Sequence, residues 1–196
     1  QINVDERCLI PRPETEYLIE IIKNNINSPQ NILDVGTGTG CIALMLKKIY
    51  SESNVDAVDI SEQALELAIE NAQINDLDVT FSVSDLLKNV ENNKYDIIVA
   101  NLPYIPTETL QNLDKEVINY EPMVALDGGP DGLIYINELI KQVEERDFNN
   151  LTLFLEVDSS HAKTIIKNLK HWKDVKLEKD LVDRDRYIIA KRWITI

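Results

Sequence analysis

The segment Asn101-Leu102-Pro103-Tyr104 holds the residue types whose spacing could do the most specific chemistry in this chain. A planar amide or aromatic amine nitrogen is a poor nucleophile because its lone pair is delocalised, but its hydrogens are good donors. Two oxygen acceptors can use that. If Asn101 Oδ1 and the carbonyl oxygen of residue 102 each take one hydrogen, the nitrogen lone pair is aimed at an electrophilic carbon lying opposite. Such catalysis works by orientation and fixed dipoles rather than by a strong base. The Tyr104 ring would lie on the planar group, and Pro103 would stiffen the turn. In isolation Asn-x-Pro-Tyr is a weak signal, since Asn and Pro are frequent where strands end in turns. Its weight comes from what stands beside it.

Beside it stands a glycine loop, Asp34-Val35-Gly36-Thr37-Gly38-Thr39-Gly40, which follows one apolar run and opens a helical one. In an α/β sheet the crevice at that end of the strand is where ligands lie. The spacing is Gly-x-Gly-x-Gly, not the Gly-x-Gly-x-x-Gly of dinucleotide sites. The Asp34 carboxylate would repel a pyrophosphate but could hold the amino group of a methionine. Asp59 ends the second apolar run and could accept hydrogen bonds from both hydroxyls of a ribose, since Ser61 already supplies the cap of the next helix. Asp85 could accept the amino group of an adenine, with Leu86 packed on the ring. A cationic amino acid, a ribose and an adenine together describe S-adenosylmethionine, with S-adenosylhomocysteine as the product. A sulfonium is already a reactive methyl donor, so no metal and no covalent nucleophile is expected.

The elements that must position these residues are legible as periodicities. Pro11 and Pro13 mark a loop, and Glu14 to Asn27 reads as a helix with Tyr17, Leu18, Ile21 and Ile22 at helical spacing. Strands are expected at 31–35, 54–59, 79–83, 95–100 and 151–157, and helices at 41–49, 62–74, 133–145 and 161–169. The stretch 105–130 carries three prolines and reads as irregular, a lid or substrate ledge. Five alternations of strand and helix predict a parallel sheet with helices on both faces. Two last strands, 175–179 and 187–192, are joined only by a short turn around Asp183-Arg184-Asp185, so they can pair only antiparallel. A mostly parallel sheet closed by an antiparallel C-terminal strand resembles the seven-stranded Rossmann-like methyltransferase fold.

Bulk properties narrow the partners. The 196 residues suit one domain, and the net charge of -14 disfavours a phosphate backbone as ligand. A cationic cofactor or a basic protein partner fits better. Two cysteines, Cys8 and Cys41, and two histidines are too few for a zinc site and show no ligand spacing. Reduced thiols are the expectation for both cysteines. No apolar run approaches the ~20 residues of a membrane span, and no signal segment opens the sequence. The expectation is a cytoplasmic monomer. Gln1 is not an initiator methionine, so a piece of a longer protein is expected.

A wider set of motifs then carries a resemblance. It comprises Ile10-Pro11-Arg12-Pro13-Glu14-Thr15-Glu16, Ile32 through Gly40, Asn101 through Ile105, Glu121-Pro122 with Ala125-Leu126, Gly129-Pro130-Asp131-Gly132-Leu133, and Asp180-Leu181 with Arg184-Asp185-Arg186. Together they resemble the HemK/PrmC family, which methylates N5 of the glutamine in the Gly-Gly-Gln loop of peptide-chain release factors. The resemblance runs from about Val4 to Arg192. It implies cofactor contacts at Gly36 through Gly40, Asp59, Leu86 and Asn101, and glutamine contacts at Asn101, Leu102, Pro103 and Tyr104. Arg12 and Pro13 are expected to line the same pocket. Two departures stand out. Position 102 is Leu where the family usually has Pro, which keeps the backbone acceptor and softens the turn. The helical N-terminal domain by which family members help hold the release factor has no counterpart in these 196 residues.

Three rivals remain at this level. The same acceptor pair suits the exocyclic amine of adenine or guanine in nucleic acid, flipped into a pocket, but that reading calls for a basic groove. A non-catalytic module that binds the cofactor would not need Asn101 through Tyr104. A nicotinamide-dependent dehydrogenase is opposed by the glycine spacing and by Asp34.

Overall fold

The computed structural model describes residues 1–91 and 93–192. Seven strands form one sheet in the order β3-β2-β1-β4-β5-β7-β6: β1 Asn31–Val35, β2 Asn54–Asp59, β3 Thr80–Val83, β4 Ile97–Asn101, β5 Leu151–Glu156, β6 Asp174–Lys179 and β7 Asp185–Arg192. β7 runs antiparallel to both its neighbours, β5 and β6, and the other pairings are parallel. The helices are α1 Pro13–Asn25, α2 Cys41–Ile49, α3 Glu62–Asn75, α4 Lys115–Tyr120, α5 Ile134–Glu144 and α6 Ala162–Asn168. This is the Rossmann-like fold of S-adenosylmethionine-dependent methyltransferases. Among the described residues no helix is long and apolar enough to cross a membrane.

Side-chain alternation along the strands sorts the interior into two cores. Leu33 and Val35 of β1, Ile98 and Ala100 of β4, and Leu153 and Leu155 of β5 pack with Leu139 and Val143 of α5 and Ile165 of α6. The opposite parity, Ile32, Ile97, Val99 and Phe154, packs with Leu18 and Ile22 of α1 and Ile42 and Leu46 of α2. Each fully buried Val, Leu, Ile or Phe among them contributes about 1.5–3 kcal/mol of apolar transfer free energy. Parity therefore decides what lies at the strand ends. Asp34 and Asn101 continue the set that faces α1 and α2, and Glu156 follows Phe154 onto the same face.

α1 begins with Pro13 at its first position and Glu14 and Glu16 in its first turn, where an acid complements the helix N-terminus. Ser61 caps α3, its hydroxyl oxygen accepting from Ala64 N at 3.2 Å.

Two segments bear on the sequence expectation. Among the described residues no helix lies between β3 and β4; no helix was expected at that point either, so the fivefold alternation of strand and helix is incomplete there. That connection is held from α5 instead: Gln142 Oε1 accepts from Leu87 N at 2.8 Å, and Arg146 donates to the carbonyls of Leu87 and Val90. Those side chains satisfy backbone groups that a helix would otherwise have paired. The stretch 105–130 is more ordered than an irregular ledge, with 3-10 turns at Thr107–Asn112 and Met123–Ala125 flanking α4. A bridge pairs Ile105 with Asp127, and Thr107 Oγ1 donates to Asp127 Oδ1 at 2.7 Å.

Candidate active site

The C-terminal ends of β1, β2 and β4 open onto a crevice. Gly36, Thr37, Gly38 and Thr39 form one wall; Asp59, Asp85 and Leu86 line it further along, and Asn101, Leu102 and Pro103 meet it from β4. The glycine loop and the Asn-Leu-Pro segment, 65 residues apart in sequence by the Gly36-to-Asn101 count, thus share one cavity because β1 and β4 are hydrogen-bonded neighbours. Topology places ligands at this point of an open α/β sheet.

The loop conformation is fixed from below. Asp34 is fully buried, and its Oδ2 accepts from Thr37 Oγ1 at 2.6 Å and from Ala43 N at 3.2 Å. It ties the loop to the first turn of α2, which has no side-chain cap of its own. Burial pushes the Asp34 carboxyl up to about 7 against the pull of those two donors. Asp34 does not line the crevice; it lies under the loop, held by Thr37 and Ala43. Asp59 does line it. Its Oδ2 accepts from Gly38 N and its Oδ1 from Ser61 N, both at 2.9 Å. Each carboxylate oxygen keeps a lone pair for a further donor. Burial shifts Asp59 upward from the usual carboxylate range despite these bonds.

The crevice suits the three parts of S-adenosylmethionine. A Cβ placed on Gly38 would meet nothing within 4 Å, so the loop leaves open space there. The Asp59 carboxylate presents acceptors for a ribose. Asp85 and Leu86 both line the crevice; Asp85 is paired with Lys88 at 2.5 Å, and Leu86 holds a left-handed φ of 53° that a non-glycine residue adopts at a cost of about 1–2 kcal/mol. Leu86 is nonetheless buried, its side chain packed into the core beneath the crevice.

Asn101 is the hinge between this crevice and the α1 face. Its Nδ2 donates to Thr15 Oγ1 at 3.0 Å, and Thr15 Oγ1 donates to Glu156 Oε2 at 2.9 Å. With Nδ2 engaged, Oδ1 is the amide atom left for a ligand. Glu156 stands beside Asn101 in the β4–β5 register and is buried; burial first, then Glu14, pushes its carboxyl up to about 7, opposed by Thr15 and Arg186. Tyr104 is not on the crevice wall. It packs against the α5 and α6 core, with Glu156 and Arg186 as charged neighbours, and burial pushes its hydroxyl up to about 12.

Arg12 and Pro13 do not line the crevice, whereas Pro11 and Thr15 on either side of them do. Arg12 instead pairs with buried Glu121, Nη2 to Oε1 at 2.5 Å, joining the Ile10–Glu16 motif to the Glu121-Pro122 motif. Pro122 and Ala125 of that second segment reach the crevice. Three contributors escaped the sequence reading. Thr15 and Glu156 are described above. The third is Asn71 of α3, fully buried, whose Nδ2 donates to the carbonyls of Thr39 and Asn3. A polar residue at helical spacing within an apolar stripe, as Thr15 is with Leu18 and Ile22, was the available signal. Cys8 and Cys41 are free thiols on the crevice wall, both pushed up to about 12 chiefly by burial.

Gly132 accounts for a glycine of the segment Gly129 to Leu133. Its φ is 72°, and a Cβ there would stand 2.3 Å from the carbonyl oxygen of Tyr104. Only glycine lets the chain return this close behind the Asn101–Tyr104 turn.

A mostly parallel seven-stranded sheet with this crevice at the β1–β4 junction defines a Rossmann-like methyltransferase. The chain belongs to the methyltransferase small domain family, whose model matches residues 13–150. It is 39% identical over 194 residues to a release factor glutamine methyltransferase of Flavobacterium psychrophilum, covering 94% of this chain and 68% of that one. It is 40% identical over 201 residues to the protein of the same name from Leptospira interrogans, covering 96% and 69%. Among solved structures, a methyltransferase from Pyrococcus furiosus superposes with a TM-score of 0.75 at 21% identity, covering 98% of this chain and 89% of that one. The E. cuniculi Mtq2–Trm112 complex gives 0.70 at 20% identity, covering 95% and 99%. These two likenesses speak to the fold.

Proposed function

We propose that this chain transfers a methyl group from S-adenosylmethionine to the side-chain N5 of the glutamine in the Gly-Gly-Gln loop of peptide-chain release factors. The observation that carries the reading is the Asn101 amide, held through Nδ2 so that Oδ1 is free beside the crevice. The curated relatives at 36–40% identity bear the name release factor glutamine methyltransferase, and the E. cuniculi complex is described as responsible for methylating the eRF1 termination factor.

When bound, S-adenosylmethionine supplies a methyl on a sulfonium that departs as a neutral thioether. The residues of this chain do the rest. Gly36 through Gly40 and Asp59 hold the amino-acid and ribose parts, and Asp85 with Leu86 borders the adenine. Asn101 Oδ1 and the Leu102 carbonyl oxygen take the two hydrogens of the glutamine amide, which turns the nitrogen toward the methyl carbon. As the new nitrogen–carbon bond forms, one of those hydrogens is shed as a proton to water at the open mouth. The preorganised acceptors are worth most here because the crevice is partly desolvated. Thr37 and Thr39, both buried, keep the loop in shape beneath this arrangement.

The test is mass spectrometry of a release factor incubated with this protein and S-adenosylmethionine, with a nucleic-acid substrate in parallel. One added methyl on the loop glutamine is expected. Label transferred to nucleic acid and not to the release factor would replace this reading with that of an amine methyltransferase.

A further inference from the structure

The amide of Asn101 can present either face by a half-turn about its last side-chain bond, since oxygen and NH₂ have nearly the same shape. Only one face suits a substrate that arrives with two N–H groups. The other would set donor against donor. Something must therefore choose between them, and two residues on the α1 side of the sheet could do so: Thr15, which also lines the crevice, and buried Glu156.

We infer that Thr15 and Glu156 are positioning residues that set which atom of the Asn101 amide faces the crevice, Glu156 accepting the hydrogen bond of the Thr15 hydroxyl so that Thr15 can only accept from Asn101 Nδ2. This inference rests on the proposed amide methylation. Its geometry comes from three elements. Asn101 and Glu156 are register partners at the ends of β4 and β5, and both continue the strand parity that faces α1. Thr15 sits in the first turn of α1, buried, with its oxygen between them at 3.0 and 2.9 Å. A threonine hydroxyl has one proton. A carboxylate can only accept, so that proton goes to Glu156, and the oxygen's remaining capacity is as an acceptor. The Asn101 amide must then turn Nδ2 inward and Oδ1 outward.

The same logic gives the relay a dependence on pH. A protonated Glu156 can donate to Thr15, which frees the hydroxyl proton for Asn101 Oδ1 and permits the reversed amide. The groups facing Glu156 are Thr15 and Glu14 from α1, Arg186 and Tyr187 from β7, Tyr104 just beyond β4, and Cys41 at the start of α2. Arg186 and Thr15 favour the carboxylate; burial and Glu14 oppose it, and the balance puts the change at about 7.

Thr15→Val, Thr15→Ser and Glu156→Gln test this with two readouts. The first is methyl transfer to the release factor as a function of pH. The second, taken with no substrate present, is the side-chain amide signal of Asn101 in ¹⁵N-labelled protein, assigned by its loss in Asn101→Ala. Thr15→Val is expected to lower kcat by about tenfold or more, the scale of one misdirected preorganised contact, with KM for S-adenosylmethionine little changed. Thr15→Ser should restore it. The Asn101 signal should move with pH around neutrality in the wild type, lose that movement in Glu156→Gln, and differ in Thr15→Val. A Thr15→Val protein with wild-type kcat and an unaltered Asn101 signal overturns the inference. If Thr15→Val does not fold, the serine and glutamine variants decide it by the same signal. If wild-type protein methylates no release factor, the proposed function fails instead, and the substrate-free signal still decides the relay.

Discussion

Leu102 lays its Cδ2 where Gly36 has no side chain: a Cβ on Gly36 would stand 2.8 Å from it. The first glycine of the loop after β1 and the second residue of the turn after β4 are therefore fitted to each other. Gly36 also holds a φ of 73°, which an L side chain rarely adopts. Gly36→Ala should weaken S-adenosylmethionine binding by about tenfold or more and lower the melting temperature, combining left-handed strain of about 1–2 kcal/mol with the clash. Gly36→Ala with Leu102→Ala should recover part of the loss. Calorimetric titration and thermal melts check this; strict additivity of the two changes would show that the contact carries no energy.

Gly132 supports the same turn from behind, where its missing Cβ leaves room for the Tyr104 carbonyl. Gly132→Ala is expected to displace Tyr104 and with it the Leu102 acceptor. Methyl transfer should drop by about tenfold or more while the dissociation constant for S-adenosylmethionine stays within a few fold, because a small misplacement near reacting atoms is costly. Equal loss of binding and turnover would mean that the substitution disturbs the whole crevice.

How much of this was legible in the sequence depended on whether the cause was local. The glycine spacing, the Ser61 cap and the apolar run at Ile97, Ile98 and Val99 are local patterns, and strand bounds followed from such patterns within two or three residues. The antiparallel ending was legible because the turn between β6 and β7 is too short for anything else. Partners set by register were not legible. Thr15 meets Glu156 across 141 residues and Asn101 across 86, through strand neighbours that no window of sequence contains. Asp34 is held under the loop by Thr37 and by Ala43 of α2, contacts that the glycine spacing did not show. Arg12 was read as lining the pocket, but buried Glu121, brought close by the fold, takes its guanidinium.

Asp59 serves both the loop and the crevice, so its removal has a definite signature. Asp59→Ala should weaken S-adenosylmethionine binding by about tenfold or more, the scale of one or two lost hydrogen bonds to a charged group. It also frees Gly38 N and Ser61 N, and a modest fall in melting temperature should accompany it. An unchanged dissociation constant removes Asp59 from the ribose.

Stability should respond to pH in an unusual direction near neutrality. Asp34 and Glu156 each sit at about 7 in the folded chain, above the ordinary carboxylate values of about 4. The folded state therefore holds more protons than the unfolded state between those limits. Their contribution is full below the lower limit and is lost as pH rises through about 7, with a slope of at most about 1.4 kcal/mol per pH unit for each group. Melting temperatures of the ligand-free protein should rise from pH 8 to pH 6, and less so in Glu156→Gln. A wild type whose response matches the variant's would show that Glu156 titrates normally.

The proposed reaction depends on the outward oxygen of Asn101, and Asn101→Ala tests it most directly. Single-turnover methyl transfer should fall by roughly 10²-fold or more, as for loss of one preorganised polar contact, while S-adenosylmethionine binds within a few fold of wild type. Wild-type turnover in Asn101→Ala would contradict the account.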